Sequence, residues 1–344
     1  MSVKILAIET SCDETSASIV EDGLIIRSNI ISSQVDLHQK FGGVVPEVAS
    51  RKHLELINGV VAEALDKAGL CFFDLDAVGV TYGPGLAGAL LVGVTAAKTI
   101  AYALNIPLLA VNHLEGHIYA NFLGGPSLSF PLLCLIVSGG HTDLVFIECH
   151  GSYRLTGKTR DDAAGEAFDK IARVLDLGYP GGPAIEKLSL NGNEEAIHFP
   201  RAYLEEGSLD FSFSGLKTAV LNYLRLAKQY GVEVNKADVA ASFQRAVADV
   251  LVEKTLLAAQ RYKACAIILA GGVAANLRLR ALLKTEAKRH LLPVIYPPPV
   301  LCTDNAAMIG CAAYYKYMRG DFAPLTLNAL PGLKLGEEKY YSCG

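Results

Sequence analysis

The chain has 344 residues, of which 51% are hydrophobic and 32 are glycine. This composition is typical of a compact α/β enzyme with glycine-rich loops and argues against a disordered protein. The net charge of −4 provides no overall basic surface, so nucleic-acid binding would need local basic clusters or partner subunits. The 8 cysteines include no C-x-x-C pair, which argues against a zinc ribbon or a disulfide framework and favours a reducing, cytoplasmic environment.

The first half of the chain is predicted to alternate strands and helices. Its opening stretch MSVKILAIET reads as a strand rather than a signal peptide, and no apolar run of about 18 residues free of polar breaks predicts a membrane span. Strands are predicted at 3–9, 16–21, 24–31, 76–81 and 107–111, and helices at 46–69, at 86–104 and directly after residue 111.

The second half starts at residue 131 and opens, as the first half does, with three predicted strands. They lie in PLLCLIVS, in TDLVFIEC and near YRLTGKT. Helices are predicted near 163–176, 180–190, 213–230, 236–262, 273–290 and 304–318, with strands at 265–270 and 292–296. Because three strands open each half, we predict two related lobes with a ligand cleft between them. The first lobe would comprise 1–130 and 304–325, the second 131–303 with a helical insertion at about 150–262, and 326–344 would form a peripheral tail.

Two histidines four residues apart, His113 and His117, lie in the stretch LLAVNHLEGHIYA. Positions i and i+4 stack on one face of a helix, for which Asn112 is the predicted N-cap, and two imidazoles so placed can bind one metal ion. Such a pair is also common on an ordinary helix surface. The zinc-protease motif H-E-x-x-H has its glutamate directly after the first histidine, whereas Glu115 lies about 200° around the helix from each histidine and is predicted to point away.

Three polar turns follow strands at corresponding places in the chain. They are ETSCDET at 9–15, SGGHTD at 138–143 and LAGGVAAN at 269–276. Turns of this kind can surround a phosphate with backbone N–H groups, and the third opens a helix whose N-terminus attracts anions. One glycine-rich turn is usually only a turn, but three at matching places indicate a phosphate-containing ligand.

Together these segments resemble the actin, Hsp70 and sugar-kinase (ASKHA) superfamily, which implies an α/β fold with a duplicated βββαβα core. A closer resemblance is carried by ten motifs in order: IETSCDET, FGGVVPEVASRKH, TYGPGLAGALLVG, NHLEGHIYA, SGGHTDL, DDAAGEAFDK, YPGGP, FSFSGLKTA, AGGVAANLRLR and CTDNAAMIG. Over residues 3–318 the chain is similar to the tRNA adenosine threonylcarbamoyltransferases, formerly called glycoproteases. The segment HQKFGGVVPEVASRKH resembles their bacterial or organellar branch.

The resemblance implies one divalent metal ion per subunit, with iron expected and zinc possible. Its ligands would be His113, His117 and Asp304. Two imidazoles and a carboxylate leave coordination positions open for substrate oxygens and do not by themselves choose between iron and zinc.

The resemblance also implies binding of threonylcarbamoyl-adenylate. The expected contacts are Ile136, Val137, Ser138, Gly139, Gly140, Asp169, Gly182, Glu186 and Asn276. Asp169 and Glu186 would accept hydrogen bonds from the ribose hydroxyls, as acidic residues do in dinucleotide sites. Many relatives carry aspartate at the Glu186 position, and Asp169 could instead pair with Arg173 one helical turn away.

The implied reaction transfers the threonylcarbamoyl group to N6 of adenosine 37 in tRNAs that read codons beginning with A, and AMP leaves. Asp13 is the candidate for proton removal and His141 is a second candidate, although either could be a structural turn residue. Phosphate contacts could come from three basic clusters: Arg51-Lys52, Lys158-Arg160 and Arg278-Arg280-Lys284. The implied partners are a paralogous non-catalytic subunit and a small P-loop ATPase, and no membrane.

Three alternatives remain open on the residues alone. A small-molecule kinase of the same superfamily would transfer phosphate from ATP with Mg²⁺ and would not need the histidine pair. A metalloprotease would need a base where Glu115 is misplaced. A non-catalytic Hsp70-like binding protein would not need intact metal ligands.

Overall fold

The computed structural model describes residues 2–125, 128–202, 205 and 207–337. The chain divides into two compact units. Unit 1 comprises Met1–Leu128 and Pro297–Gly344, and unit 2 comprises Ser129–Tyr296. Residues 338–344, which the sequence analysis assigned to a peripheral tail, lie outside the described residues.

The described elements follow in chain order. Unit 1 begins with β1 (Lys4–Glu9), β2 (Glu14–Glu21), β3 (Ile25–Ser33), α1 (Val35–Gln39), α2 (Pro46–Ala68), β4 (Ala77–Gly83), α3 (Ala87–Leu104), β5 (Leu108–Asn112) and α4 (His113–Tyr119). Unit 2 contains β6 (Leu132–Val137), β7 (Thr142–Cys149), β8 (Ser152–Lys158), α5 (Ala164–Val174), α6 (Gly181–Ser189), α7 (Ser214–Tyr230), α8 (Lys236–Arg261), β9 (Ala266–Ala270), α9 (Leu277–Arg289) and β10 (Val294–Ile295). The chain then returns to unit 1 with α10 (Pro299–Cys302) and α11 (Ala306–Arg319), and single 3₁₀ turns occur at Phe72–Asp74 and Gly272–Ala275.

Each unit is built on a five-stranded sheet of the same topology. The strand order is β3-β2-β1-β4-β5 in unit 1 and β8-β7-β6-β9-β10 in unit 2. In both sheets the first three strands form an antiparallel meander and the last two add in parallel. The α/β class with a duplicated βββ opening, predicted from the sequence, is therefore confirmed.

Four strands, β4, β5, β6 and β9, are buried along their whole length. They therefore read in the sequence as mostly apolar runs rather than as alternating patterns. Side chains of asparagine cap four of the described helices, namely Asn112 for α4, Asn235 for α8, Asn276 for α9 and Asn305 for α11. These caps fix where the four helices begin.

Helix α3 is the one described helix that is long and apolar enough by composition to cross a membrane. The sequence analysis had found no such run. The helix carries Lys98, whose Nζ donates to the carbonyl of Leu327, and Gly93 lies against Thr10 of the β1–β2 turn. These contacts are those of a helix packed on the sheet of unit 1.

Two predicted domain boundaries differ from the structure. Residues 326–337 are not peripheral, because Leu327 and Leu333 are buried in the core of unit 1 and the amide of Leu330 donates to the carbonyl of Tyr82. The chain rejoins unit 1 at Pro297 rather than at 304, since Leu301 and Cys302 are buried there.

The helix predicted at 273–290 is divided in two. A 3₁₀ turn at Gly272–Ala275 precedes α9, and Asn276 stands between them with a backbone ψ of 120°, which is not helical. Because Asn276 caps α9, the helix cannot begin before it.

Candidate active site

The predicted metal ligands lie together in unit 1. Asp304 Oδ1 is 3.2 Å from His117 Nε2 and 3.5 Å from His113 Nε2. The potential ligand atoms of the three side chains all lie within 4.8 Å of one another. Two imidazole nitrogens and a carboxylate oxygen directed at one another form a donor set that fits a divalent metal ion.

Two packed helices bring these ligands together. Helix α4 carries both histidines and Asp304 precedes α11, and the two helices approach closely at Gly116, where an added Cβ would lie 2.5 Å from Ile309 Cδ1. The glycine of HLEGH is therefore required by the helix contact. As predicted, Glu115 points away from the ligands: it is buried and pairs with Lys316 of α11 at 3.4 Å.

The β1–β2 turn surrounds the histidines with acidic groups. Glu9 is fully buried and its Oε2 lies 3.0 Å from His113 Nδ1. Burial works to raise the pKa of Glu9, but the charge and hydrogen bond of His113 lower it. Burial likewise opposes protonation of His113, whereas the charges of Asp304 and Glu9 raise its pKa to about 9.

Asp13, the candidate base, lies in the same turn and is 7% exposed. The pKa of its neighbour Glu14 is raised to about 10 by burial and by the charges of Asp304 and Asp13. This cluster holds more carboxylates than nearby cationic side chains can balance, which is the electrostatic setting that a bound cation would relieve.

In unit 2 the SGGHTD turn joins β6 to β7. The Ser138 amide donates to the His141 carbonyl and Ser138 Oγ accepts from the His141 amide. Gly139 and Gly140 are exposed, and no protein atom lies within 4 Å of where a Cβ would stand on either. Their amides are therefore approachable by a ligand.

The other predicted ligand residues of unit 2 have structural partners that sequence reasoning missed. Ile136 and Val137 are fully buried in β6, which pairs with β7 on one edge and β9 on the other. Asp169 Oδ1 accepts from the Gly181 amide at 2.7 Å, and Gly182 follows in the first turn of α6. Burial raises the pKa of Asp169, and the Gly181 amide and Arg173 partly offset this effect.

Glu186 and Asn276 meet at the N-terminus of α9. Glu186 Oε1 accepts from the Leu277 amide at 2.6 Å, and Asn276 Oδ1 accepts from the Leu279 amide while its Nδ2 donates to Gln244 Oε1. A cavity of about 580 Å³ adjoins Glu186, Gln244 and Leu277. The sequence signal for these capping roles was present, because Asn276 directly precedes an amphipathic helix.

Acidic neighbours compensate the predicted basic clusters. Arg51 pairs with Glu47, Arg160 with Glu205 and Asp210, and Arg278 with Glu194. Arg280 is 7% exposed and stacks over the Tyr296 ring. Acidic groups therefore pair with Arg51, Arg160 and Arg278, one residue of each cluster.

A family model described as TsaD, tRNA N6-adenosine threonylcarbamoyltransferase, matches residues 25–311. The chain is 66% identical to the tRNA N6-adenosine threonylcarbamoyltransferase of Moorella thermoacetica over 96% of this chain and 97% of the relative. It is 61% identical to that of Desulfitobacterium hafniense over 97% and 98% of the two chains.

Solved structures of other proteins share the fold at low identity. Component A of the (R)-2-hydroxyglutaryl-CoA dehydratase of Acidaminococcus fermentans aligns with a TM-score of 0.55 and 16% identity over 92% of this chain and 99% of the other. Full-length HypF in its phosphate- and nucleotide-bound form aligns with a TM-score of 0.61 and 14% identity over 92% of this chain and 55% of the other. At such identities the likeness concerns the fold alone.

Proposed function

Because the chain belongs to the tRNA N6-adenosine threonylcarbamoyltransferase family, we propose that it uses threonylcarbamoyl-adenylate as donor and modifies adenosine 37 of tRNAs that read codons beginning with A. The family assignment makes the protein a transferase acting on N6 of a tRNA adenosine, and neither a small-molecule kinase nor a metalloprotease is supported. In the proposed step N6 attacks the carbamoyl carbonyl, the bond to the phosphate oxygen breaks and AMP leaves with its electron pair.

The observation that carries the proposal is the convergence of His113, His117 and Asp304 on one point of unit 1. These residues would hold one Fe²⁺, with Zn²⁺ as the alternative. The bound metal would supply charge stabilisation for substrate oxygens and fix their orientation. The excess of carboxylates around the three ligands supports a cation there.

Unit 2 would bind the adenylate. The amides of Gly139 and Gly140, free of steric cover, would donate to the phosphate. Each of Asp169 and Glu186 uses one carboxylate oxygen on a backbone amide, which leaves the second oxygen for a ribose hydroxyl. Ile136, Val137, Ser138 and Gly182 would contribute backbone contacts. Asn276 and the cavity beside Gln244 and Leu277 would lie at the adenine end.

Asp13 is our candidate for removing the proton from N6, since it lies in the carboxylate-rich turn that also carries Glu9. His141 remains the second candidate.

The protein would work in the cytoplasm with a paralogous non-catalytic subunit and a small P-loop ATPase. The seven cysteines within the described part of the chain are all free thiols, which fits a reducing compartment. Basic clusters that are neutralised within the chain leave room for partners in tRNA binding.

The test is transfer of labelled threonine to unmodified tRNA. The purified protein is incubated with bicarbonate, ATP, an adenylate-forming enzyme and the candidate partners, and label in tRNA is measured. We expect incorporation with the wild-type protein and none with Asp304→Ala. If label fails to reach tRNA under every combination of partners while adenylate accumulates, the proposed function is refuted.

A further inference from the structure

Glu9 is a fully buried carboxylate at the end of β1, and it is not one of the three candidate metal ligands. Its Oε1 accepts from the Ser11 amide at 2.5 Å and its Oε2 accepts from the Thr81 hydroxyl at 2.6 Å. The same Oε2 lies 3.0 Å from His113 Nδ1. Three elements, namely β1, β4 and the β5–α4 junction, are therefore joined at one carboxylate in the interior of unit 1.

The two ring nitrogens of His113 face different groups. Nδ1 lies 3.0 Å from Glu9 Oε2 and 3.1 Å from the Ser11 hydroxyl, whereas Nε2 faces Asp304 Oδ1, at 3.5 Å. If His113 binds a metal ion through Nε2, its remaining ring proton is on Nδ1, and the Glu9 carboxylate is placed to accept it.

The second histidine has no such support. Nδ1 of His117 is buried and has no hydrogen-bond partner among the described residues. His117 is 1% exposed, and its contact with a charged group is through Nε2, which lies 3.2 Å from Asp304 Oδ1. The two histidines are therefore inequivalent: a carboxylate faces Nδ1 of His113, whereas Nδ1 of His117 is surrounded by packing.

We propose that Glu9 is a positioning residue that holds His113 in its metal-binding tautomer and orientation, and so sets the affinity of the centre for its metal. The proposal rests on the metal centre of the proposed function. A carboxylate behind a ligating histidine restricts the ring and makes it a stronger donor, and loss of such a partner typically reduces metal affinity by roughly 10- to 100-fold.

The test compares Glu9→Gln with Glu21→Gln. Both remove a buried carboxylate charge from unit 1, but only Glu9 contacts a histidine ring, while Glu21 faces Arg27. Metal affinity is measured by titrating Zn²⁺ or Co²⁺ into the metal-free full-length protein against a competing chelator, with His113→Ala as the reference for a lost ligand. We expect Glu9→Gln to bind roughly 10- to 100-fold more weakly and Glu21→Gln to bind as the wild type does.

A second measurement needs no variant and so does not depend on folding of Glu9→Gln. In the zinc-loaded wild-type protein, ¹⁵N spectra of the histidine side chains should show His113 protonated at Nδ1 and coordinated through Nε2. Coordination through Nδ1, or equal affinities for Glu9→Gln and the wild type, would overturn the role of Glu9. If the wild-type protein binds no metal and matches His113→Ala, the metal centre itself is wrong, and that outcome is distinct from failure of the Glu9 inference alone.

Discussion

The Nζ of Lys316 in α11 lies 3.4 Å from Oε2 of Glu115 in α4, and both side chains are almost wholly buried. The pair joins the helix that carries His113 and His117 to the helix that Asp304 precedes. Glu115, which in the sequence suggested a protease motif, is therefore part of the frame that holds the metal ligands.

Replacing Lys316 with Met should destabilise the protein by up to about 3–5 kcal/mol, because it removes the buried ammonium group that pairs with the buried carboxylate of Glu115. The double variant Glu115→Leu/Lys316→Met should recover much of this loss, since an apolar pair of similar size needs no compensation. Urea unfolding of the wild type, the two single variants and the double variant measures the coupling. Strictly additive effects would contradict it.

Gly116→Ala should lower both stability and metal affinity. The new Cβ would lie 2.5 Å from Ile309 Cδ1, so the buried Ile309 side chain must leave its rotamer or α4 and α11 must move apart, at a cost of about 1–3 kcal/mol. Gly59→Ala in α2 is the matched control, because nothing lies within 4 Å of its added Cβ. The control should gain up to about 1 kcal/mol from helix propensity. Thermal unfolding and zinc titration of both variants test the contrast; unchanged zinc affinity in Gly116→Ala would argue against it.

Gly139→Ala and Gly165→Ala should separate ligand binding from folding. At Gly139 the added Cβ meets nothing, so we expect unchanged thermal stability but weaker binding of a non-hydrolysable adenylate analogue, because the methyl group would stand where the phosphate approaches. At Gly165 it would lie 2.5 Å from the Ser138 carbonyl oxygen, so stability itself should fall. Calorimetric titration alongside thermal unfolding provides the readout. Equal analogue affinity for Gly139→Ala and the wild type would count against a phosphate site there.

His53 should give the stability of the protein a pH dependence below its ordinary pKa. It is fully buried, its Nε2 donates to the Cys12 carbonyl, and burial lowers its pKa. Since the unfolded chain takes up the proton more readily than the folded one, the stabilisation is fully present above the unfolded value near 6.5 and is lost as the pH falls through the lower folded pKa.

The variant His53→Gln isolates this contribution. Unfolding free energies at pH 7.5 and pH 5.5 should fall more steeply for the wild type than for His53→Gln, because only the wild type carries the buried imidazole. A parallel decline in the two proteins would assign the pH dependence to other groups.

Much of the fold could be read from local patterns. The triple-strand openings, the buried parallel strands and the asparagine cap of α4 were predicted because periodicity and capping act over a few residues. The packed segment 326–337 was predicted wrongly as peripheral, because the residues it packs against lie far away in the chain.

The sequence by itself determined the class of the fold, the family and the identity of the metal-ligand candidates. These depend on residue types and on their spacing along the chain, which the sequence shows directly. Only the tertiary structure decided what surrounds them. It placed Glu9 behind His113 across 104 positions of sequence and Lys316 against Glu115, and it engaged Asp169, Glu186 and Asn276 as helix caps. Such contacts arise when strands and helices pack, and no local periodicity encodes which buried charge will meet which ring.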